Sequence, residues 1–310
     1  MSYTLITGAH GFMGRNLIDA WHTTQDLIGI DLPPELWNRA SLEPFHNLVP
    51  VYHYDLREEQ YLSSEHLKYV DTVIHCANTA RIQPSWENYD DYYLNNITAT
   101  HRLFANCQKY GVETFVYFSS SSVYGPSLHP RQNEGDRLEP TNPYAVSKMA
   151  AEQALRVQAQ RGKTRLIIIR PFTMYGSYMD YGKNGLVIAR YLRAWMDQEP
   201  LLLDGGGAQT RDFVHASDVV AALELILEHG EHGSVYNIGS GVSVTVKQLA
   251  DCVSSRQIIS PERVGAVSRT CADIGKLRRL GYDPKVHVLD WLTSRIKTLK
   301  LEVHNKEETQ

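Results

Sequence analysis

Thr7-Gly8-Ala9-His10-Gly11-Phe12-Met13-Gly14 decides the fold. It follows a short apolar run, Tyr3–Thr7, and opens an amphipathic one, Phe12–Trp21, so three glycines stand where a strand passes into a helix. Glycine there lets the chain turn tightly, brings backbone N–H groups up to a pyrophosphate at the positive helix end, and lets the helix pack closely on the strand. Gly8, Gly11, Phe12, Met13 and Gly14 are therefore candidate dinucleotide contacts. Asp31 closes the next apolar run, Leu27–Asp31, at the distance along the chain expected of a carboxylate that binds a ribose. Its charge repels a 2′-phosphate, which favours NAD over NADP. Arg15, just after the loop, is a guanidinium that such a phosphate would meet, so NADP stays open. A plain tight turn and an ordinary strand-end carboxylate are the other readings of these residues.

Outward from the loop, apolar runs alternate with helix-like stretches. Val49–Asp55, Thr72–Ala77, Thr114–Ser119 and Arg165–Arg170 read as further strands, and Glu58–Tyr69, Tyr89–Gln108 and Tyr144–Gln160 as helices. Runs that are continuous rather than alternating belong to strands buried on both faces, so the fold class is α/β: a Rossmann-type, doubly wound parallel sheet. After Pro171 the rhythm breaks. Residues 171–185 read as loop, Leu186–Asp197, Ala216–Glu228, Val246–Val253, Ala272–Arg279 and Leu289–Leu299 as helices, and Leu201–Leu203 and Ser234–Ile238 as strands, with a hard turn at Gly205-Gly206-Gly207. This predicts a dinucleotide-binding domain over 1–170, a smaller α/β substrate-binding cap over 171–302 with some segments returning to the sheet, and a frayed polar tail over 303–310.

Composition narrows the function classes. The 310 residues are 43% hydrophobic and 21% charged with a formal charge of -4, which offers no field for nucleic acid. Mean hydropathy is -0.34, and apolar runs such as Leu166–Ile169 fall far short of the roughly 20 residues of a bilayer span, so no membrane partner is expected. The first apolar run leads straight into the glycine loop, which speaks against a secretory leader and for a cytoplasmic protein. Cys76, Cys107, Cys252 and Cys271 form no CxxC pair and read as reduced thiols. The 13 histidines show no ligand spacing, so no metal is expected.

Tyr144 and Lys148, four apart on a predicted helix, share one face. With 18 tyrosines in the chain such a pair carries little weight alone. Its place is what counts, after the Thr114–Ser119 strand and the run Ser119-Ser120-Ser121-Ser122-Val123-Tyr124-Gly125, where a strand end faces the cofactor. An ammonium beside a phenol favours the phenolate, which can take a proton from an alcohol as hydride leaves the same carbon. Ser120 can bond the same oxygen.

These motifs resemble an extended short-chain dehydrogenase/reductase of the nucleotide-sugar epimerase/dehydratase family, of the UDP-glucose 4-epimerase kind, over essentially the whole chain. TGxxGFxG is met by Thr7–Gly14, SSxxVYG by Ser119–Gly125, PYxxSK by Pro143–Lys148 and RPxxxYG by Arg170–Gly176. Gln209–His215 resembles the QTRDFVHV segment, and Tyr236–Gly239 and Pro261–Gly265 two later signatures. The resemblance implies a catalytic triad of Ser120, Tyr144 and Lys148. It implies cofactor contacts at Asp55 and Leu56 near the adenine, at Ala77, at Asn96 as a structural or active-site asparagine, and at Pro171. It also implies a nucleotide-sugar substrate held by Ser122, with Arg211 and Arg263 on its diphosphate. Guanidinium suits that bidentate contact, a surface salt bridge being the alternative for each arginine. Family members are often dimers, which points here to a homodimer through Tyr89–Gln108 and Tyr144–Gln160.

Fold cannot choose the reaction. Dehydratases of this kind carry Asp-Glu after the catalytic hydroxyl and decarboxylases a glutamate before VYG; here stand Ser121 and Ser122, which disfavours both. The expected activity is NAD-dependent epimerisation at C4 of a UDP-hexose through a transient 4-keto sugar. A reductase of a 4-keto-6-deoxy nucleotide sugar is the alternative, and a catalytically silent nucleotide binder a third. The short stretch after Lys247, Ala266 where an acid often stands, and Asn78 and Thr79 after the fourth strand depart from the family pattern and leave the sugar open.

Overall fold

Each apolar run becomes a strand with two sides to bury, and the computed structural model shows both sides covered. It describes residues 2–36, 48–58, 67–127, 129–182, 185–262 and 265–308. Strands β1 (Tyr3–Thr7), β2 (Leu27–Asp31), β3 (Val51–His53), β4 (Val70–His75), β5 (Thr114–Phe118), β6 (Arg165–Pro171) and β10 (Val235–Ile238) form one sheet. Its order is β10-β6-β5-β4-β1-β2-β3, with every neighbouring pair parallel. Successive residues of a strand face opposite ways. Accordingly Ile6, Ile74, Val116, Phe118, Ile167 and Ile169 enter one core, with helices α1 (Phe12–Trp21) and α6 (Ala216–His229). Leu5, Val73, Phe115, Tyr117, Leu166 and Ile168 enter the other, with α3 (Thr100–Tyr110) and α4 (Pro143–Ala159). Two buried faces are why these runs show no polar alternation.

The sequence of crossovers changes direction between β1 and β4, adjacent in the sheet. Loops at the carboxyl ends of two such strands diverge and leave a crevice, the usual ligand site of this architecture. The glycine loop leaves β1 there, and Ala77 follows β4.

The region after Pro171 holds more strand than its sequence suggests. β7 (Thr173–Tyr175) lies in the stretch expected to be loop, and with β9 (Thr210–His215) and β11 (Ser243–Thr245) it makes a three-stranded sheet. β8 (Leu201–Asp204) pairs in parallel with β12 (Gln257–Ser260). Strands of three or four residues are too short to show a period, and partners from distant segments define them. Helices α5 (Val187–Met196), α7 (Val246–Val253) and α8 (Val288–Glu308) close a third core over these strands with Tyr175, Leu192, Leu203, Phe213, Leu249 and Leu292. Thr245 and Gln248 start α7 with reciprocal side-chain caps. β10 and α6 return to the large sheet, so this region is interleaved with the first rather than strung after it. The last helix continues to Glu308 instead of fraying at 303. The helix expected over Glu58–Tyr69 falls largely outside the described residues.

Candidate active site

The crevice is tailored to a close backbone approach. Gly8 has φ +70°, and a Cβ on it would stand 2.8 Å from the Ala77 nitrogen; a Cβ on Gly14 would stand 2.2 Å from the Gly8 carbonyl oxygen. Only hydrogen fits at either place. Gly11 caps α1 with no side chain on the helix N-terminus, and the first turn carries no acid, so the positive helix end faces the crevice without a competing anion. Met13 is buried in the core and Phe12 packs on two cores, which leaves their backbone to face the loop. Asp31 is oriented at the end of β2, where its carboxylate accepts from His10 N–H at 2.6 Å and Leu32 N–H at 2.7 Å. Arg15, the residue that kept NADP open, is buried; its Nε donates to the His10 carbonyl and its guanidinium lies 5.8 Å from the Tyr178 ring centroid.

Other expected contacts have different neighbours. Asp55 is held by Arg57 at 2.6 Å; burial pushes its carboxyl up, but the Arg57 guanidinium outweighs that and holds it below the ordinary range. Leu56 is buried. Asn96 sits fully buried in a π-turn, Leu94–Ala99, between α2 (Tyr89–Tyr93) and α3. Its Oδ1 accepts from Thr79 N–H, and its Nδ2 donates to the Thr79 carbonyl and to Ser147 Oγ. The amide thereby ties the β4 turn to α4, the structural side of the expectation for this asparagine. Pro171 ends β6 beside Ile238.

Tyr144 owes its place to a helix start. Asn142 Oδ1 accepts from Ala145 N–H at 2.9 Å and Pro143 takes the first helical position, so the phenol projects from the first turn of α4. Ser120, at the carboxyl end of β5, caps the 3-10 turn Ser121–Tyr124; its Oγ accepts from Ser122 N–H at 3.1 Å. Burial pushes the Tyr144 phenol up, opposed by the Ser120 hydrogen bond and then by the charge of Arg81. Lys148 is buried with its ammonium 4.5 Å from the Tyr117 ring centroid, and burial takes it down to about 7 against Cys76 and Glu152.

Beneath this pair lies a buried network that sequence reasoning missed. The Arg170 guanidinium meets Glu152 at 2.6 and 2.9 Å, with the side chains 3% and 0% exposed. Ser119 Oγ donates to the same carboxylate, Arg170 also donates to Tyr124 Oη at 3.0 Å, and Tyr124 Oη donates to Asn237 at 2.7 Å. Glu152 follows Lys148 by one helical turn, the one sequence signal that it lies on the same face. Arg81 was missed too. It leaves β4's following turn with φ 113° and ψ 130° and pairs with Asp180 at 3.5 Å.

Arg211 lies on β9, half-buried, and donates to the Thr210 carbonyl at 2.8 Å; burial pushes it down with no carboxylate opposing. Arg263 lies outside the described residues, although Gly265 docks on the start of α4, its carbonyl accepting from Thr141 Oγ1.

A family model, the NAD dependent epimerase/dehydratase family, matches residues 4–239. The chain belongs to that family, and the cradle at Gly8 and Gly14, the open start of α1 and Asp31 all fit its NAD. Among relatives, a Bacillus subtilis (strain 168) protein named as an uncharacterized UDP-glucose epimerase is 32% identical over 95% of this chain and 97% of its own length. The human dTDP-D-glucose 4,6-dehydratase is 30% identical over 79% and 71%. An Escherichia coli dTDP-4-dehydro-6-deoxyglucose reductase is 30% identical over 96% and 97%. The solved structure of MoeE5 in complex with UDP-glucose and NAD is 31% identical, with a TM-score of 0.86 over 97% of this chain and all of that one. No helix among the described residues is long and apolar enough to cross a membrane.

Proposed function

We propose that the chain is an NAD-dependent nucleotide-sugar epimerase acting at C4 of a UDP-hexose. The observation that carries this is Ser120 capping the turn after β5, its hydroxyl holding the Tyr144 phenol down, followed at Ser121 and Ser122 by hydroxyls where a dehydratase needs an acid and a base. Gly8, Gly11, Gly14, Asp31 and Ala77 hold the dinucleotide, which supplies the hydride acceptor and donor at the sugar carbon. Tyr144 Oη accepts the proton of the sugar hydroxyl and returns it when the ketone is reduced on its other face. Ser120 Oγ orients that hydroxyl, Ser122 lies on the sugar side of the same turn, and Lys148 holds its charge beneath the site. Arg211, half-buried with no carboxylate opposing its charge among the described residues, suits the substrate diphosphate, joined by Arg263. Residues 1–170 thus carry the cofactor and most of 171–302 the sugar nucleotide.

NAD-loaded protein is expected to interconvert one of the pairs UDP-glucose/UDP-galactose or their N-acetyl or uronate forms, read by the anomeric proton signals in NMR. No interconversion of any pair sinks the epimerase reading. The E. coli relative favours the second one, reduction of a 4-keto-6-deoxy sugar; oxidation of reduced cofactor in step with such a ketosugar identifies it.

The enzyme is proposed to work in the cytoplasm as a homodimer. Leu94 and Val157, exposed at 42% and 65%, lie on the two helical stretches that the family resemblance assigns to an interface. Sedimentation is expected to give twice the 35.2 kDa chain mass, and a single-chain mass removes the dimer.

A further inference from the structure

We propose that residues 177–182, the segment that leaves β7, form a strap across the dinucleotide crevice. Tyr178 and Asp180 hold it shut, and NAD enters and leaves only when it lifts. NAD in that crevice is the premise; the identity of the sugar is not.

The crevice has two rims, α1 behind the glycine loop and the turn after β4, and the strap is bonded to both. On the first rim, the Asn16 amide donates to the Ser177 carbonyl at 3.0 Å and the Tyr178 hydroxyl donates to Asp19 Oδ2 at 3.3 Å. The Tyr178 ring centroid lies 5.8 Å from the Arg15 guanidinium, whose Nε in turn holds the glycine loop at the His10 carbonyl. On the second rim, Asp180 pairs with Arg81 at 3.5 Å. The Tyr92 hydroxyl fastens that turn to α2 through the Ala80 and Arg81 carbonyls, at 3.3 and 2.8 Å. Met179, between the two, is buried in the third core. Three successive residues thus reach α1, the cap core and the β4 turn.

The backbone is set for this. Tyr178 has φ 63°, a left-handed conformation that a tyrosine keeps only where its surroundings impose it. Asp180 Oδ1 accepts from Gly182 N–H at 2.8 Å, so the carboxylate that reaches Arg81 also closes the turn behind it. The bonds to the rims are another matter. The Asn16–Ser177 and Tyr178–Asp19 hydrogen bonds are exposed and the Arg81–Asp180 pair is partly exposed, so each is weak enough to open locally while the cores stay packed. A cofactor oxidised and reduced again within one cycle never has to leave, and a strap does not slow such an enzyme. An enzyme that consumes reduced cofactor has to open it at every turnover. The strap therefore fits the epimerase reading better than the reductase one.

The test uses Tyr178→Gly, which frees the α1 rim and relieves the turn, and Asp180→Asn, which breaks the ion pair but keeps an acceptor for Gly182. Dissociation is read as loss of radiolabelled NAD from the loaded enzyme into excess unlabelled NAD. Equilibrium dialysis gives Kd, and the two together give the association rate. Each variant is expected to release NAD about tenfold faster than the parent. Kd is expected to change far less, because the strap bonds protein to protein and its loss speeds entry along with exit. Unchanged release in either variant overturns the proposal. Faster release with Kd raised in proportion overturns it too, since it makes these residues ordinary parts of the cofactor site. If Tyr178→Gly does not fold, Asp180→Asn decides alone. If no sugar pair is interconverted, the epimerase reading fails while the release rates still decide the strap.

Discussion

Tyr144→Phe is expected to fold as the parent does, bind NAD, and lose about 10²–10⁴-fold in turnover. The change deletes one oxygen. The ring keeps its edge-on contact with Tyr92, and Ser120 keeps the Ser122 N–H. Burial already disfavours a charged phenol, so deleting it costs the fold about 1 kcal/mol or less. What disappears is the group proposed to accept a proton from the sugar hydroxyl. Steady-state turnover measured beside thermal melting separates the two effects. Full turnover in the Phe variant would remove Tyr144 from the chemistry.

Glu152→Ala is expected to act in the opposite way, on the fold first. Arg170 and Glu152 are buried against each other, and removing one partner of such a pair costs about 3–5 kcal/mol because the other charge stays buried without compensation. Ser119 loses its acceptor as well, and with it the anchor of the turn that presents Ser120. Turnover is therefore expected to fall along with the denaturant midpoint. The double variant Glu152→Leu/Arg170→Met is expected to regain much of the stability, since no charge is left stranded. A single Ala variant within about 1 kcal/mol of the parent would contradict this account of the network.

The two expectations differ in how far the sequence leads to them. Tyr144 is legible because its motif, its Asn-Pro helix start and its place after a strand end are all local. Glu152 and Arg170 are also in plain view, one turn past Lys148 and at the end of a strand. Nothing local says that β6 brings the guanidinium under α4, or that Tyr124 and Asn237 complete its shell. Asn96 shows the same limit from the other side. Its type suits a structural or an active-site asparagine alike, and only the π-turn reveals that its amide ties Thr79 to Ser147. Short strands were missed for a related reason: β7 and β11 exist through pairing with β9, which three-residue segments cannot advertise.

By itself the sequence determined the parallel sheet, the glycine loop at its switch point and the tyrosine on its helix. Each follows from contacts within a few residues or from burial on both faces of a strand. The tertiary structure alone decided what packs around that tyrosine and under its helix. The Lys148 ammonium lies over Tyr117, the Tyr92 ring meets Tyr144 edge-on, and Arg170 comes from β6 to the buried Glu152. Electrostatic partners are set by distance and burial in space, and those exist only once the chain is packed.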